Sequence, residues 1–273
     1  SLFFFTGKEN IWIGIVFTIL ASIGFCGSIV FYNAYLPEVA EPKDQDRVSA
    51  KGFMLGYIGS VILLAFNLSM VMKPDMYGIT DSTLPARISF LTVGIWWLGF
   101  AQITFRRLPN DPFKRKPEKD YIFKGFRELK IVYNEIKDQR ELKILLISFF
   151  LYSIGVQTII LLASTFGIKD LGLETSNLII TILLIQLVGI LGAFLFSRLS
   201  EKIGNIKALK ITILIWSVAC FGAYLLQKDD PNVYLKFYAL GAFLGLVLGA
   251  IQTLSRSTYS KMLPDDTEDH ATY

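Results

Sequence analysis

The chain has 273 residues, 53% of them hydrophobic and 18% charged, with a mean hydropathy of +0.49 and two cysteines, Cys26 and Cys220. Such hydropathy excludes a disordered chain, and two cysteines exclude a disulfide-stapled secreted domain. The net charge of +4 does not mark a nucleic-acid binder, because the basic residues cluster in connectors beside apolar runs, where membrane-insertion bias accounts for them.

Seven stretches hold no Asp, Glu, Lys, Arg or His: residues 11–36, 52–72, 88–105, 144–166, 178–197, 211–227 and 237–255. Crossing the hydrocarbon core takes about 20 apolar residues at about 1.5 Å of rise each, and these runs have that length. The sequence therefore predicts an all-α, polytopic membrane protein with seven spans. The first residue is Ser1, and neither a signal peptide nor a terminating pattern is visible, so a fragment of a longer protein is expected.

Lys and Arg alternate in number from loop to loop. Segments 37–51, 106–143, 198–210 and 256–273 carry 21 of the 27, and the segments between carry the other 6. Basic loops stay cytoplasmic, which puts the first set, and the long central loop, on the cytoplasmic side of the membrane. That loop begins with RRLPNDPFKRKPEKD, a charged linker with three prolines. It continues as YIFKGFRELKIVYNEIKDQRELK, where Phe126, Leu129, Tyr133 and Ile136 recur at helical spacing between charges. An amphipathic connector lying on the membrane face is expected there, with a partner-binding helix as the alternative.

The ends of the first and seventh spans are alike. YNAYLPEVAE (residues 32–41) and YSKMLPDDTE (residues 259–268) share Tyr32/Tyr259, Leu36/Leu263, Pro37/Pro264 and Glu41/Glu268, with Glu38 opposite Asp265. Both segments leave the membrane on the same side, so the relation is a parallel repeat, as in transporters of the major facilitator superfamily. After the fifth span, SRLSEKIGNIK (residues 197–207) resembles that superfamily's loop signature Gly-x-x-x-Asp-Arg/Lys-x-Gly-Arg/Lys. Lys202 and Gly204 match it, while Ser197, Glu201 and Asn205 depart.

This resemblance implies a numbering in which the seven spans are helices 4 to 10 of twelve. Residues 1–105 then belong to an N-terminal half (helices 4–6), 106–143 form the central loop, and 144–273 belong to a C-terminal half (helices 7–10). NAYLPEVA, DQDRVSAKGFMLGYIGS (residues 44–60) and GAIQTLSRSTYSKMLPDDTEDHATY (residues 249–273) further resemble the bacterial branch of the vacuole-effluxer-like facilitators. The resemblance covers nearly the whole chain. It implies a secondary carrier of a small solute working by alternating access in the bacterial cytoplasmic (inner) membrane, as a monomer in the lipid bilayer with no cofactor. Fungal relatives are associated with releasing amino acids from the vacuole, which implies amino acids as the solute class, with protons as a candidate coupling ion.

Gly52, Gly56 and Gly59, and Gly241, Gly245 and Gly249, recur every three or four positions and make smooth ridges for helix packing. Arg256 lies about 12 Å inside a seventh helix expected to continue to Pro264. Glu201 is its expected partner, with a snorkelling arginine as the alternative. Glu38, Glu201, Lys202, Gly204 and Arg256 are expected to help close the cytoplasmic side, with Gly204 permitting a positive-φ turn. In facilitators helices 1, 4, 7 and 10 line the cavity, so Tyr152, Gln157 and Thr158 in the fourth span and Gln252 and Thr253 in the seventh are candidate solute contacts, Gln157 first. Their alternative is hydrogen-bonded helix glue. No carboxylate lies in any of the seven predicted spans, so either a coupling acid sits in helices outside this chain, or coupling uses another route, or transport is facilitated diffusion.

Two rival classes fit the sequence less well. An enzyme would want clustered acid, histidine or thiol groups, whereas the sole histidine, His270, lies in the terminal tail and the cysteines stand far apart, so no metal site or enzyme activity is expected. A seven-helix receptor matches the number of spans, but the last span has no lysine for a retinal linkage.

Overall fold

The computed structural model describes residues 11–81, 83–107 and 121–263. His270, Asp265, Glu268, Pro264 and the proline-rich linker lie outside them. The described chain is helical: α1 (Ile11–Val39), α2 (Gln45–Met72), α3 (Leu84–Arg107), α4 (Tyr121–Asp138), α5 (Arg140–Thr165), α6 (Thr175–Ile203), α7 (Asn205–Tyr224) and α8 (Val233–Lys261). All but α4 are long and apolar enough to cross a membrane. They correspond in order to the seven charge-free runs, and α4 is the amphipathic segment of the central loop.

The helices outrun the charge-free stretches, because polar residues continue the backbone ladder once the chain leaves hydrocarbon. This corrects two expectations. The second span starts at Gln45, not Gly52, which places a carboxylate, Asp46, in the first turn of a spanning helix at 2% exposure. The seventh span stops at Lys261, where the Met262 N–H bonds to the Tyr259 carbonyl. A following proline also disfavours helix at Leu263. Arg256 therefore lies about 7.5 Å from the helix end rather than 12 Å. In α1 the helix passes through Pro37, which leaves the Asn33 carbonyl without its usual donor.

The helices divide into two compact units. The first comprises α1 up to Phe31 and residues Leu63–Glu128. Phe25 meets Trp97 edge-on, Phe66 meets Tyr77, and Thr92 Oγ1 donates to Asn67 Oδ1 at 2.9 Å. Most of its apolar side chains are exposed, the surface expected of helices stable against hydrocarbon.

The second unit comprises Tyr32–Ile62 and everything from Leu129. At its centre α6 and α8 pack backbone against backbone. A Cβ added at Gly245 would strike the Ile185 carbonyl, one at Gly249 the Gly189 carbonyl, and one at Gly192 the Leu246 carbonyl. At Gly241 it would lie 2.5 Å from Thr181 Cγ2. Close approach of this kind lets van der Waals packing hold helices where no hydrophobic drive exists. Around it, Phe196, Ala208, Leu209, Ala250 and Leu254 join α6, α7 and α8, while Val156, Trp216, Val247 and Ile251 bring α5 and α7 onto α8.

Candidate functional site

The C-terminal third of α8 reads IQTLSRSTYSK, an amide, five hydroxyl-bearing Ser and Thr, and two cations in eleven residues. Thr253, Ser255, Ser257, Thr258 and Ser260 are all buried. A polar face this dense demands partners, since each unmet group in an apolar surround costs about 1–3 kcal/mol. Helix α2, running antiparallel alongside, meets this stretch through Asp46, Ser49 and Tyr57, whose spacing puts them on one side of the helix, while the side-chain hydroxyls of Thr253, Thr258 and Ser260 have no hydrogen-bond partner among the described residues.

The Asp46 carboxylate receives the Lys261 ammonium at 2.8 Å. Asn205, at the start of α7, donates to Asp46 Oδ1 at 2.6 Å and accepts from Lys261 Nζ at 3.1 Å, closing a ring. Asn205 Nδ2 is also 3.3 Å from Ser257 Oγ. Ser200 Oγ lies 2.9 Å from Asp46 Oδ2 and 2.8 Å from the Ser197 carbonyl, one proton for two acceptors. The carboxylate is thus buried but fully engaged, the condition under which a buried ion pair is tolerated.

Two further rungs continue along α8. Ser49 Oγ donates to the Thr253 carbonyl at 3.1 Å, and Tyr57 OH donates to Gln252 Oε1 at 2.5 Å. Gly189 of α6 backs onto the Tyr57 ring, with room for an added Cβ only 3.1 Å from it. On the α5 side, Tyr152 OH is 2.7 Å from Ser255 Oγ. Ser255 also donates to the Ile251 carbonyl at 2.6 Å, so Tyr152 acts as donor.

Arg256 points to α1. Its Nη2 donates to the Tyr32 carbonyl at 2.6 Å, and its Cζ stands 3.8 Å from the centroid of the same tyrosine ring. Tyr32 in turn meets Phe53 of α2 edge-on. Gly52 makes room for the pair: a Cβ there would be 2.6 Å from Tyr32 OH and 3.8 Å from Arg256 Nη1. The expected Arg256–Glu201 pair does not form, because Glu201 lies one helical turn from Arg198 and pairs with it at 3.5 Å on the exposed side of α6. Arg256 instead takes a π face and a backbone carbonyl, which accept a guanidinium without burying a second charge.

The remaining expected residues are scattered around this seam. Lys202 and Gly204 lie at the α6–α7 turn, with Gly204 at φ 89° and ψ 150°, a conformation open essentially to glycine. Glu38 lies in the last turn of α1, exposed. Gln157 and Thr158 are on the exposed side of α5, apart from Gln252 and Thr253. Gly59 is half-buried in α2, while an added Cβ at Gly56 would meet nothing within 4 Å.

Sequence reasoning missed Asp46, Ser49, Tyr57 and Asn205. The signal available in the sequence was the density of polar residues in IQTLSRSTYSK, a stretch that demands partners on a neighbouring helix. Among the described residues no group of three or more His, Cys, Asp or Glu could hold a metal ion.

Comparison with known proteins places this arrangement in a family. The model of the family described as vacuole effluxer Atg22 like matches residues 1–271. An uncharacterised MFS-type transporter, YxiO, of Bacillus subtilis strain 168 is 30% identical over 261 residues, covering 95% of this chain and 59% of that protein. Autophagy-related protein 22 of Yarrowia lipolytica is 27% identical over 250 residues, covering 81% of this chain and 41% of its own. Autophagy-related protein 22-1 of Aspergillus clavatus is 30% identical over 251 residues, covering 81% and 40%. The chain thus spans between two fifths and three fifths of the length of these relatives. No solved structure matches it. The chain belongs to the Atg22-like vacuole effluxer family.

Proposed function

We propose that this chain is part of a secondary carrier that moves a small solute across a membrane by alternating access, and that its polar seam is the contact that opens and closes one side. The observation that carries the reading is the buried Asp46–Lys261 pair, with Asn205 and Ser200 around it. It joins α2, from the first half of the chain in the facilitator numbering, to α6, α7 and α8 from the second. Hydrogen bonds and a charge pair confined to one end of a helix interface separate as a set, which suits a contact with two discrete states better than it suits permanent packing. The MFS-type name of the Bacillus relative supports the same reading.

On this proposal residues 1–105 and 144–273 contribute helices 4–6 and 7–10 of two rocking halves, joined by the central loop at 106–143. The basic connectors face the cytoplasm of a bacterial inner membrane, and the seam is the cytoplasmic gate. Glu38, Lys202 and Gly204 sit at its rim, Arg256 clamps α1, and Glu201 steadies α6 through Arg198. Tyr152, Gln157, Thr158, Gln252 and Thr253 offer hydroxyl and amide groups to a polar solute, with Tyr57 added to the set. Amino acids are the solute class and efflux the direction, with protons as coupling ion. The carrier works as a monomer and has no enzymatic step.

The test is flux. The intact protein in proteoliposomes, given a panel of amino acids with and without a pH gradient, accumulates or releases at least one of them, and D46N lowers that flux. Absence of amino-acid flux removes the solute class. Absence of flux for every small solute, with the protein correctly inserted, removes the carrier.

A further inference from the structure

The helix α4 is amphipathic, and its apolar side is bare. Phe126 is 70% exposed, Leu129 56% and Tyr133 70%, three residues on one stripe of the helix, while Val132, at the edge of that stripe, is buried. Most other large exposed apolar side chains among the described residues belong to helices long and apolar enough to span a membrane, where hydrocarbon covers them, the exceptions being Met76, Tyr77 and Leu225 in short connectors. The helix α4 is too short and too charged for that.

Two observations say what covers it. First, a single non-helical residue, Gln139, separates α4 from α5, a spanning helix. The C-terminal end of α4 is therefore held within a few ångströms of the level at which α5 enters the membrane, and an apolar stripe tethered there meets the headgroup boundary. Second, the exposed Arg127, Lys130 and Lys137 flank the stripe at one to four residues' distance, and Arg140 and Lys143 follow at the start of α5. Segment 106–143 as a whole carries twelve Lys and Arg against seven Asp and Glu. A basic border around an apolar stripe is complementary to a bilayer surface bearing anionic headgroups.

We infer that α4 is an anionic-lipid binding element. It lies in the membrane surface with Phe126, Leu129 and Tyr133 inserted among the acyl-chain ends, and Arg127, Lys130 and Lys137 hold phosphate-bearing headgroups along its edge. The bend at Gln139 then sets the angle at which α5 leaves the surface. This stands apart from the transport reading, since it depends neither on which solute moves nor on which way the chain faces.

The test uses the intact protein, with Cys26 and Cys220 replaced, in nanodiscs of phosphatidylcholine alone or mixed with phosphatidylglycerol. Spin labels are placed singly at 126, 127, 129, 130, 131, 133, 134 and 137, and collision with oxygen is compared with collision with a water-soluble nickel complex. In the anionic discs labels at 126, 129 and 133 are oxygen-rich and nickel-poor, and labels at 131 and 134 are the reverse. Each basic residue removed in the R127Q, K130Q and K137Q series lowers the ratio of seated to free helix by about fivefold. The phosphatidylcholine discs resemble the triple variant.

Nickel access at all three stripe positions in both discs overturns the proposal. So does shielding from both reagents, which means a protein surface covers the stripe. An unchanged profile in the triple variant removes the anionic headgroup. A profile with no helical period in either disc removes the helix itself as the binding element.

Discussion

Arg256 of α8 grips Tyr32 of α1 twice, through its ring, 3.8 Å from the guanidinium carbon, and through its backbone carbonyl at 2.6 Å. The geometry ties α8 to α1 a little over one turn before Pro37, where the α1 ladder is already open. A hydrogen bond from a charged donor contributes about 1.5–3 kcal/mol when sheltered, and a cation–π pair on a ring as exposed as Tyr32, at 44%, about 0.5–1.

From this pairing, R256Q and Y32L are expected to be non-additive in flux and in thermal stability, since either change removes the ring contact. R256Q and E201Q are expected to be additive, because Glu201 belongs to Arg198. R256K keeps the charge but not the planar fork and behaves closer to R256Q than to the native chain. A double-mutant cycle on the purified protein distinguishes these outcomes. Coupling between 256 and 201 but not between 256 and 32 would refute the assignment.

The Asp46 ring gives a second expectation. Removing one partner of a buried pair strands the other, at a cost of about 3–5 kcal/mol, whereas removing both costs less. D46N and K261M singly lower the melting temperature in detergent more than D46N/K261M together. N205A falls between them, since it removes one donor and one acceptor from the ring. Equal and summing losses from the two singles would mean that the pair is not coupled.

The glycine seam can be tested by contrast between positions. G249A, G245A and G192A each push a methyl into a facing backbone carbonyl and are expected to destabilise by about 1–3 kcal/mol or more, as overpacking does. At Gly56 an added methyl meets nothing, so G56A is neutral or slightly stabilising through helix propensity. Denaturant titration of the four variants suffices. A loss at G56A as large as at G249A would contradict the packing described.

At the opposite end of α8, Asp230 takes a bond from Lys236 and another from the Asn232 N–H, and together these hold its carboxyl below the ordinary value of 3.8. A depressed carboxyl stabilises the folded state above the ordinary carboxylate range, and that stabilisation is lost as pH falls through the folded-state value. Hydrogen exchange over residues 230–237, corrected for intrinsic rate, should lose protection below about pH 3.8 in the native chain and show no such step in D230N. Identical pH profiles would remove the contribution of this carboxylate.

Much of the fold was legible because membranes leave a coarse signature. Charges are absent where hydrocarbon is, so all seven spans could be read and α4 stood out by its period. Gly204 could be read as a turn because it falls on the glycine of the loop signature that the connector resembles. The start of α2 was not legible, since QDRVSAK is as polar as any loop. Only the partners on α8 reveal that it is helical and buried, and with it went Asp46. Arg256 was assigned to the signature acid because charge seeks charge, but a ring and a carbonyl one helix away served instead. The α8 glycines were visible as a ridge, whereas their counterparts on α6, Gly189 and Gly192, have meaning only once the two helices are laid together.

The central claim is that the α2–α8 contact at the Asp46–Lys261 end has a closed and an open state. Spin labels on the intact protein at exposed Arg47 and at Met262, with the native cysteines replaced, measure it by double electron–electron resonance in nanodiscs. Two resolved distances, with D46N shifting population to the longer, are the predicted result. A single distance, unmoved by D46N, would contradict it.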